Sequence, residues 1–243
     1  MKYKKLFAMS LVTIQALSMG HQVFAAEYEG PAKATTGADV EILPYEGGGN
    51  VPDPENPDEP LHPELPVNPN PGELKINYVS TFDFGRHMNV SSELVVNALL
   101  DELNLDAGPE THRVPFVATE DRRGTNRQGW ELRVSQPTPF EDSEGNELSG
   151  ATIKLSGLRY VDTNNAPVVT GGDIVLDSEE KVLATANEIQ GAGAWSLALG
   201  SPTTEGTTDG VTLNIPQNTI KNNVSYGTQI VWELIADPSV GLN

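Results

Sequence analysis

The sequence contains no cysteine among its 243 residues. This absence excludes disulfide bonds, cysteine nucleophiles and thiolate metal sites. Histidine is scarce as well, with four residues, and neither a Gly-x-Ser-x-Gly nucleophile motif nor a His-Glu-x-x-His zinc motif is present. The acidic segment 141–147 lacks the EF-hand spacing of a calcium loop, so we interpret it as a solvated turn. We therefore expect no catalytic residues, no cofactor and no metal site.

Basic residues are also few: 15 Lys and Arg stand against 34 Asp and Glu, which gives a formal charge of −19. This balance disfavours nucleic acid and anionic membranes as partners. Long hydrophobic runs are missing too, because the apolar stretch 6–17 is too short to span a bilayer. Lys2, Lys4 and Lys5 precede that stretch and Ala25 follows it, a pattern that predicts a signal peptide over residues 1–25 and a secreted product.

Removing residues 1–25 takes away three basic and no acidic residues, so 12 basic residues remain against 34 acidic ones, a charge of about −22. Residues 239–243 carry neither a hydrophobic tail nor a Leu-Pro-x-Thr-Gly sorting motif. If the protein stays on the cell, we expect it to be held non-covalently, with no membrane insertion after cleavage of the signal.

Proline marks the boundary between two parts of the chain. Residues 51–71 contain a proline at every third position from Pro54 to Pro69, together with five acidic residues. Three residues per turn is the period of polyproline II, so we predict an extended acidic linker here. The preceding segment 26–50 includes the alternating residues 38–42, which form either an edge strand of the main domain or a loose tail. The main domain is predicted to span residues 72–243.

From Leu74 onward the apolar residues mostly alternate with polar ones, which is the strand pattern. Many short strands with polar turns predict an all-β, antiparallel β-sandwich, either Greek-key and immunoglobulin-like or barrel-like. One segment differs: Leu94, Val95, Ala98 and Leu99 follow helical spacing, so we predict a short inserted helix over residues 92–104.

All three tryptophans stand in the tripeptide Trp-x-Leu, at Trp130-Glu131-Leu132, Trp195-Ser196-Leu197 and Trp232-Glu233-Leu234. With their flanks, and with the segments 78–85, 121–125, 184–188 and 191–195, they make the chain resemble the WxL family of surface proteins from low-GC Gram-positive bacteria. The resemblance covers residues 26–243. It implies attachment to the cell wall through peptidoglycan or another wall polymer. It also implies complexes with other WxL proteins and with a membrane-anchored WxL-interacting protein.

Each tryptophan has two interpretations. Because residues i and i+2 of a strand point to the same side, Trp130 shares a face with Leu132, and Trp232 shares a face with Leu234. These faces either pack the core, which alternation with charged residues favours, or form a platform on which sugar rings stack. Both faces of the last motif are largely apolar, which predicts a central strand. Glu stands at the middle position of the two main motifs, where Thr is frequent in the family.

Arginine is concentrated in one part of the chain. Five of its seven arginines lie close together: Arg113, Arg122, Arg123, Arg127 and Arg133. Guanidinium groups bind carboxylates and phosphates, which peptidoglycan stems and teichoic acids respectively carry. The arginines therefore either contact an anionic wall ligand or pair with the protein's own excess carboxylates.

Taken together, these patterns predict a secreted, non-enzymatic surface protein that is bound to the cell wall through its WxL domain. The alternative is a protein–protein module, held at the surface by the membrane-anchored partner and associated with the wall only indirectly. Exposed strand edges accept partner strands, so such a module would use an edge.

Overall fold

The computed structural model describes residues 27–28, 31–43, 51–58, 61, 67–103, 111–125 and 127–238. The predicted signal peptide, residues 1–25, lies outside these residues. The chain divides into two compact units, Met1–Glu46 and Gly47–Asn243. In the first unit β1 (Glu27–Tyr28) pairs with β2 (Ala34–Thr35) in antiparallel orientation. Residues 36–43, which include the alternating segment 38–42, form no strand and are exposed.

The second unit consists of short strands joined by turns. In chain order they are β3 (Leu74–Val79), β4 (Leu94–Leu99), β5 (Asp101–Leu103), β6 (Thr111–Arg113), β7 (Phe116–Asp121), β8 (Trp130–Ser135), β9 (Thr152–Leu155), β10 (Leu158–Arg159), β11 (Val168–Val169), β12 (Ile174–Val175), β13 (Lys181–Ala186), β14 (Gly193–Leu199), β15 (Thr207–Ile215) and β16 (Val231–Ala236). Three sheets have four strands each, in the orders β10-β14-β7-β3, β11-β13-β8-β16 and β12-β9-β15-β4. A two-stranded antiparallel sheet, β5-β6, is also present among the described residues.

A common hydrophobic core joins the three four-stranded sheets. Trp130 and Leu132 from β8, Ile153 from β9, Leu197 from β14 and Val211 from β15 are fully buried in it. Every pairing is antiparallel, and no sheet of the described residues closes on itself. The all-β prediction is therefore confirmed, and the packing of open antiparallel sheets on one core is that of a sandwich rather than of a barrel.

The prediction of a short inserted helix over residues 92–104 is wrong. Its described part forms the strands β4 and β5 instead, and the described residues contain no helix. Leu94, Val96 and Ala98 turn toward the core while Val95 and Leu99 are exposed, so the period is two. Adjacent Val95 and Val96 are β-branched, which favours a strand, and pairing with β15 supplies the backbone hydrogen bonds.

Part of the predicted proline-rich linker belongs to the second unit and packs against its strands. Val51 and Leu61 are buried in a small core with Leu103 and Phe116. The carboxylate of Asp53, which is also buried, accepts two hydrogen bonds of 2.8 Å from Nε of Arg113. The spacing of the prolines predicted an extended rod but gave no sign of these contacts.

A buried polar cluster ties β3 to β5. Asp101 accepts hydrogen bonds from the hydroxyl of Tyr78, at 3.1 Å, and from the hydroxyl of Ser80. The Ser80 hydroxyl oxygen in turn accepts the N–H of Phe116 at 2.7 Å. Burial raises the pKa of Asp101 above its usual 3.8, although the hydrogen bonds from Ser80 and Tyr78 oppose the rise. Burial, followed by the charge of Asp101, also raises the pKa of Tyr78.

The raised pKa of Asp101 makes the stability of the domain depend on pH. Because folding favours the protonated carboxyl, its contribution is fully present below pH 3.8 and is lost as the pH rises through the folded pKa. We expect the free energy of unfolding of the wild type to fall, relative to Asp101→Asn, across that window. Urea titrations of both proteins from acidic to neutral pH measure the difference. Glu233→Gln, which changes an exposed carboxylate, is the control. If the difference in unfolding free energy between the wild type and Asp101→Asn does not change with pH, the prediction is contradicted.

Candidate binding groove

The first and last Trp-x-Leu motifs lie on neighbouring strands. β8 and β16 are antiparallel, with Leu132 opposite Leu234, Trp130 opposite Ala236 and Trp232 opposite Val134. The two tryptophans therefore stand at opposite ends of one strand pair, on either side of the leucines. In the described sheet β8 is flanked by β13 and β16, whereas β16 is the outermost strand. The prediction that the last motif lies on a central strand is wrong; the central strand is that of the first motif.

Trp130 is a core residue. Its exposed fraction is 0%, and its indole N–H donates to the carbonyl of Gly191 at 3.3 Å. Gly191 has φ +66°, and a Cβ there would lie 3.0 Å from indole atoms and 2.7 Å from Cβ of Ala186. Only glycine fits this close approach. Leu132 is equally buried, while Glu131 on the opposite face pairs with Arg133 at 2.6 Å. Trp130 thus has no face open to a ligand.

Trp195 is half-buried on β14. It meets Tyr160 edge to face, with ring centroids 5.8 Å apart, and its indole N–H donates to the carbonyl of Ala192 at 2.8 Å. Its neighbours belong to the core of the sandwich. Trp195 does not line the surface groove at Trp232.

Trp232 differs from the other two because it lines a surface groove of about 1490 Å³. Its ring is half-buried and meets Phe82 edge to face, with centroids 6.2 Å apart. Leu234, two residues on, packs against the core. Glu233 is exposed on the other face of β16, opposite Arg133 in the strand register.

The groove lies between two segments that are distant in the chain, residues 79–99 and 221–232. Buried core residues such as Leu148 and Ile153 form its floor. Four aromatic rings line it, together with Phe140 of the core: Phe82, Phe84, Tyr226 and Trp232. The segment 78–85, one of those that carried the family resemblance, thus supplies two of these rings.

Hydrogen bonds hold the two lips of the groove in place. The side-chain amide of Asn89 donates to the carbonyl of Lys221 at 3.1 Å and to Oδ1 of Asn223 at 2.9 Å, which bridges the lips. Asp142 accepts side-chain hydrogen bonds from Asn146 and Asn222, and these bonds lower its pKa to about 2. Asp142 therefore stays ionised at neutral pH and fixes the loop that carries Asn222.

The five arginines predicted as ligand contacts all pair with carboxylates of the protein. Arg113 binds Asp53 at 2.6 Å, and Arg122 binds Glu120 at 3.1 Å. Arg133 binds Glu131 and Glu180. The remaining pairs are Arg123 with Asp121 and Asp237, and Arg127 with Asp121. None of these arginines lines the groove. The arrangement agrees with the self-pairing alternative; contact with a wall ligand remains a prediction.

One of these ion-pair networks holds the end of β16. Asp121 has a side chain that is 0% exposed and binds Arg123 through two parallel hydrogen bonds of 3.0 Å. Arg123 also binds Asp237, the residue after β16, at 3.0 Å, and these carboxylates raise its pKa. The segment 121–125 thus fastens the last strand to β7.

The sequence patterns missed the basic side chains of the groove, which are Arg86 and Lys221, with His87 beside Arg86. The signal available was the position of Arg86 and His87 directly after the aromatic segment 78–85. Lys221 lies far away in sequence, and only the fold brings it near. Within the described residues no group of three metal-binding side chains occurs, and no helix there has the length and apolarity to cross a membrane.

These features define an all-β domain with an aromatic surface groove. The model of the family described as WxL domain, surface cell wall-binding, matches residues 29–238. The chain therefore belongs to the WxL family, whose domain binds the cell wall, and its location is the cell wall or cell surface. No curated protein and no solved structure matches the chain significantly.

The burial of Trp130 predicts a large effect of its removal on stability. We expect Trp130→Ala to lower the free energy of unfolding by roughly 3–5 kcal/mol, because it removes buried contacts and leaves a cavity. Trp195→Ala, at a half-buried ring, is the comparison and should cost less. Urea unfolding followed by circular dichroism measures both. Equal losses in the two variants would contradict the assignment of Trp130 to the core.

The network at Asp121 predicts a second loss. Asp121→Ala leaves two arginines without their buried partner, so we expect destabilisation of about 3 kcal/mol. The matched control is Asp173→Ala, which breaks an exposed pair with Lys154 and should cost less than about 1 kcal/mol. Thermal and urea unfolding test this difference. Should both variants be equally stable, the network would not be what fastens β16.

Proposed function

We propose that the domain attaches the protein non-covalently to the cell wall by binding a peptidoglycan strand in the groove at Trp232. One observation carries the proposal: the tryptophan of the last motif lines a groove together with four further aromatic rings, of which Phe140 belongs to the core. Sugar rings have apolar C–H faces that pack on aromatic rings, while their hydroxyl groups bind polar side chains. Peptidoglycan supplies such rings in an extended chain.

The size of the groove supports a polymer as the ligand. Pockets for small molecules usually enclose about 300–1,000 Å³, whereas this groove has about 1490 Å³. It is also open to the surface between residues 79–99 and 221–232, so part of a longer chain can lie in it. A single small metabolite would leave most of it empty.

Binding without catalysis is part of the proposal. Glycoside hydrolysis normally needs two carboxyl groups that flank the bond to be cleaved. Among the described residues, Asp83 is the one carboxylate that lines the groove, and its Oδ1 accepts the N–H of Gly85 at 2.7 Å. We expect no release of soluble fragments from purified walls.

A protein partner is the second candidate, and exposed aliphatic residues favour it. Met88 and Val224 on the lips of the groove are 84% and 56% exposed, and Val95 on the nearby outer strand β4 is 57% exposed. Sugars gain little from aliphatic side chains, whereas an added strand uses both an open edge and apolar contacts. The partner would be the membrane-anchored WxL-interacting protein or another WxL protein, and wall association would then be indirect.

Sedimentation with protein-free Gram-positive walls tests the proposal. We expect purified residues 26–243 to sediment with the walls, and Trp232→Leu to lose most of this binding, because leucine keeps apolar volume but offers no ring face. Trp195→Leu is the matched control and should sediment like the wild type. Circular dichroism shows that each variant is folded.

Failure of the wild type to sediment with protein-free walls would exclude direct binding and favour the protein partner. If the wild type and folded Trp232→Leu sediment equally, the domain binds walls but not through this groove.

A further inference from the structure

The groove reverses the charge balance of the whole chain. The chain has 34 acidic and 15 basic residues. Among the described residues that line the groove, the charged side chains are Arg86 and Lys221 against the one carboxylate of Asp83. Placing a local positive region in such an acidic protein matters because a protein of this net charge repels anionic polymers at long range.

The cations of the groove differ from the other arginines in their partners. Arg113, Arg122, Arg123, Arg127 and Arg133 are each bound to a carboxylate within 4 Å. No described carboxylate forms an ion pair with Arg86 or Lys221; Nζ of Lys221 donates to the carbonyl of Thr219 at 3.3 Å. Arg86 is exposed. The charges in the groove are therefore available to a ligand.

Asp83 supplies one negative charge against the two positive charges of Arg86 and Lys221, and its side chain binds the backbone of its own segment. Its Oδ1 accepts the N–H of Gly85, and its carbonyl accepts the N–H of Leu99 at 2.7 Å. Nε2 of His87 likewise contacts the carbonyl of Phe84 at 2.5 Å. Asp83 and His87 thus hold the lip in shape. The side chains of Arg86 and Lys221 are separate from these contacts and form no hydrogen bond with a described carboxylate.

We propose that Arg86 and Lys221 select carboxylate-bearing glycan, so that the groove binds the free carboxyl groups of peptidoglycan and discriminates against neutral glycan. This inference rests on the proposed function. Guanidinium and carboxylate groups form paired, charge-assisted hydrogen bonds. Aromatic rings beside cations fit a polymer that carries both sugar rings and carboxylates. The polyol phosphate backbone of a teichoic acid has no sugar ring that could pack on the aromatic side chains of the groove.

Chemical amidation gives a direct test, because it removes the carboxylates of peptidoglycan and leaves the sugar chain unchanged. Soluble peptidoglycan fragments are titrated into the protein by calorimetry, before and after amidation of their carboxyl groups. For the wild type we expect amidation to weaken binding roughly tenfold or more, as the loss of a charged hydrogen bond does. Added salt should weaken binding of the unmodified fragments and leave that of the amidated ones nearly unchanged.

The variants Arg86→Gln, Lys221→Gln and their combination locate the effect. The double variant should bind both fragment forms equally, with the affinity that the wild type has for the amidated form. Lys154→Gln, which changes an exposed lysine paired with Asp173, is the charge-matched control and should behave like the wild type. Circular dichroism checks that each variant is folded. We expect the substitutions to leave the fold unchanged, because Arg86 is exposed and Lys221 is half-buried.

Equal affinity of the wild type for both fragment forms, or a double variant that still discriminates between them, would overturn the inference while direct wall binding stands. If walls lose binding only when teichoic acid is extracted, Arg86 and Lys221 bind phosphate groups instead of carboxylates. That result would also overturn the inference. If no fragment and no wall binds the wild type, the proposed function fails, and the inference fails with it.

Discussion

The antiparallel pairing of the two Trp-x-Leu strands is the constraint on which the rest of the structure depends. Trp130 anchors the pair because its indole is sealed between β13 and Gly191, where no side chain fits. With β8 fixed in this way, the register of β16 is fixed by Leu132 and Leu234. That register places Trp232 at the opposite end of the pair, where the groove is. One motif therefore holds the fold while the other lines the groove.

Three of the arginines have a carboxylate partner two residues away in the sequence: Glu120 with Arg122, Asp121 with Arg123, and Glu131 with Arg133. The last pair lies within β8, where such residues share a face, and the other two lie at the end of β7. Self-pairing of these arginines could thus be read from the sequence. Arg86 lies in a segment without regular structure, and no described carboxylate pairs with it. An isolated cation beside aromatic residues is the more informative pattern in an acidic protein.

The sequence predicts the strands better than the site. Alternation from Leu74 onward predicted many short strands, and β8 shows it directly, with Trp130, Leu132 and Val134 buried and the residues between them less so. It failed at Leu94–Leu99, where leucine and valine positions satisfy both periods and only the pairing with β15 decides. The groove could not be predicted from the sequence, because its lips come from two distant segments, residues 79–99 and 221–232. No local pattern reports that Lys221 lies across from Asn89.

The position of β16 has a consequence for the order in which the domain assembles. It follows every other described strand, yet its partner β8 begins about a hundred residues earlier, at Trp130. For a chain that emerges N-terminus first, the sheets around Trp130 have their strands before Trp232 arrives. The lip formed by residues 221–232 arrives equally late. The groove, where we propose that the wall binds, is then the last feature of the domain to be completed.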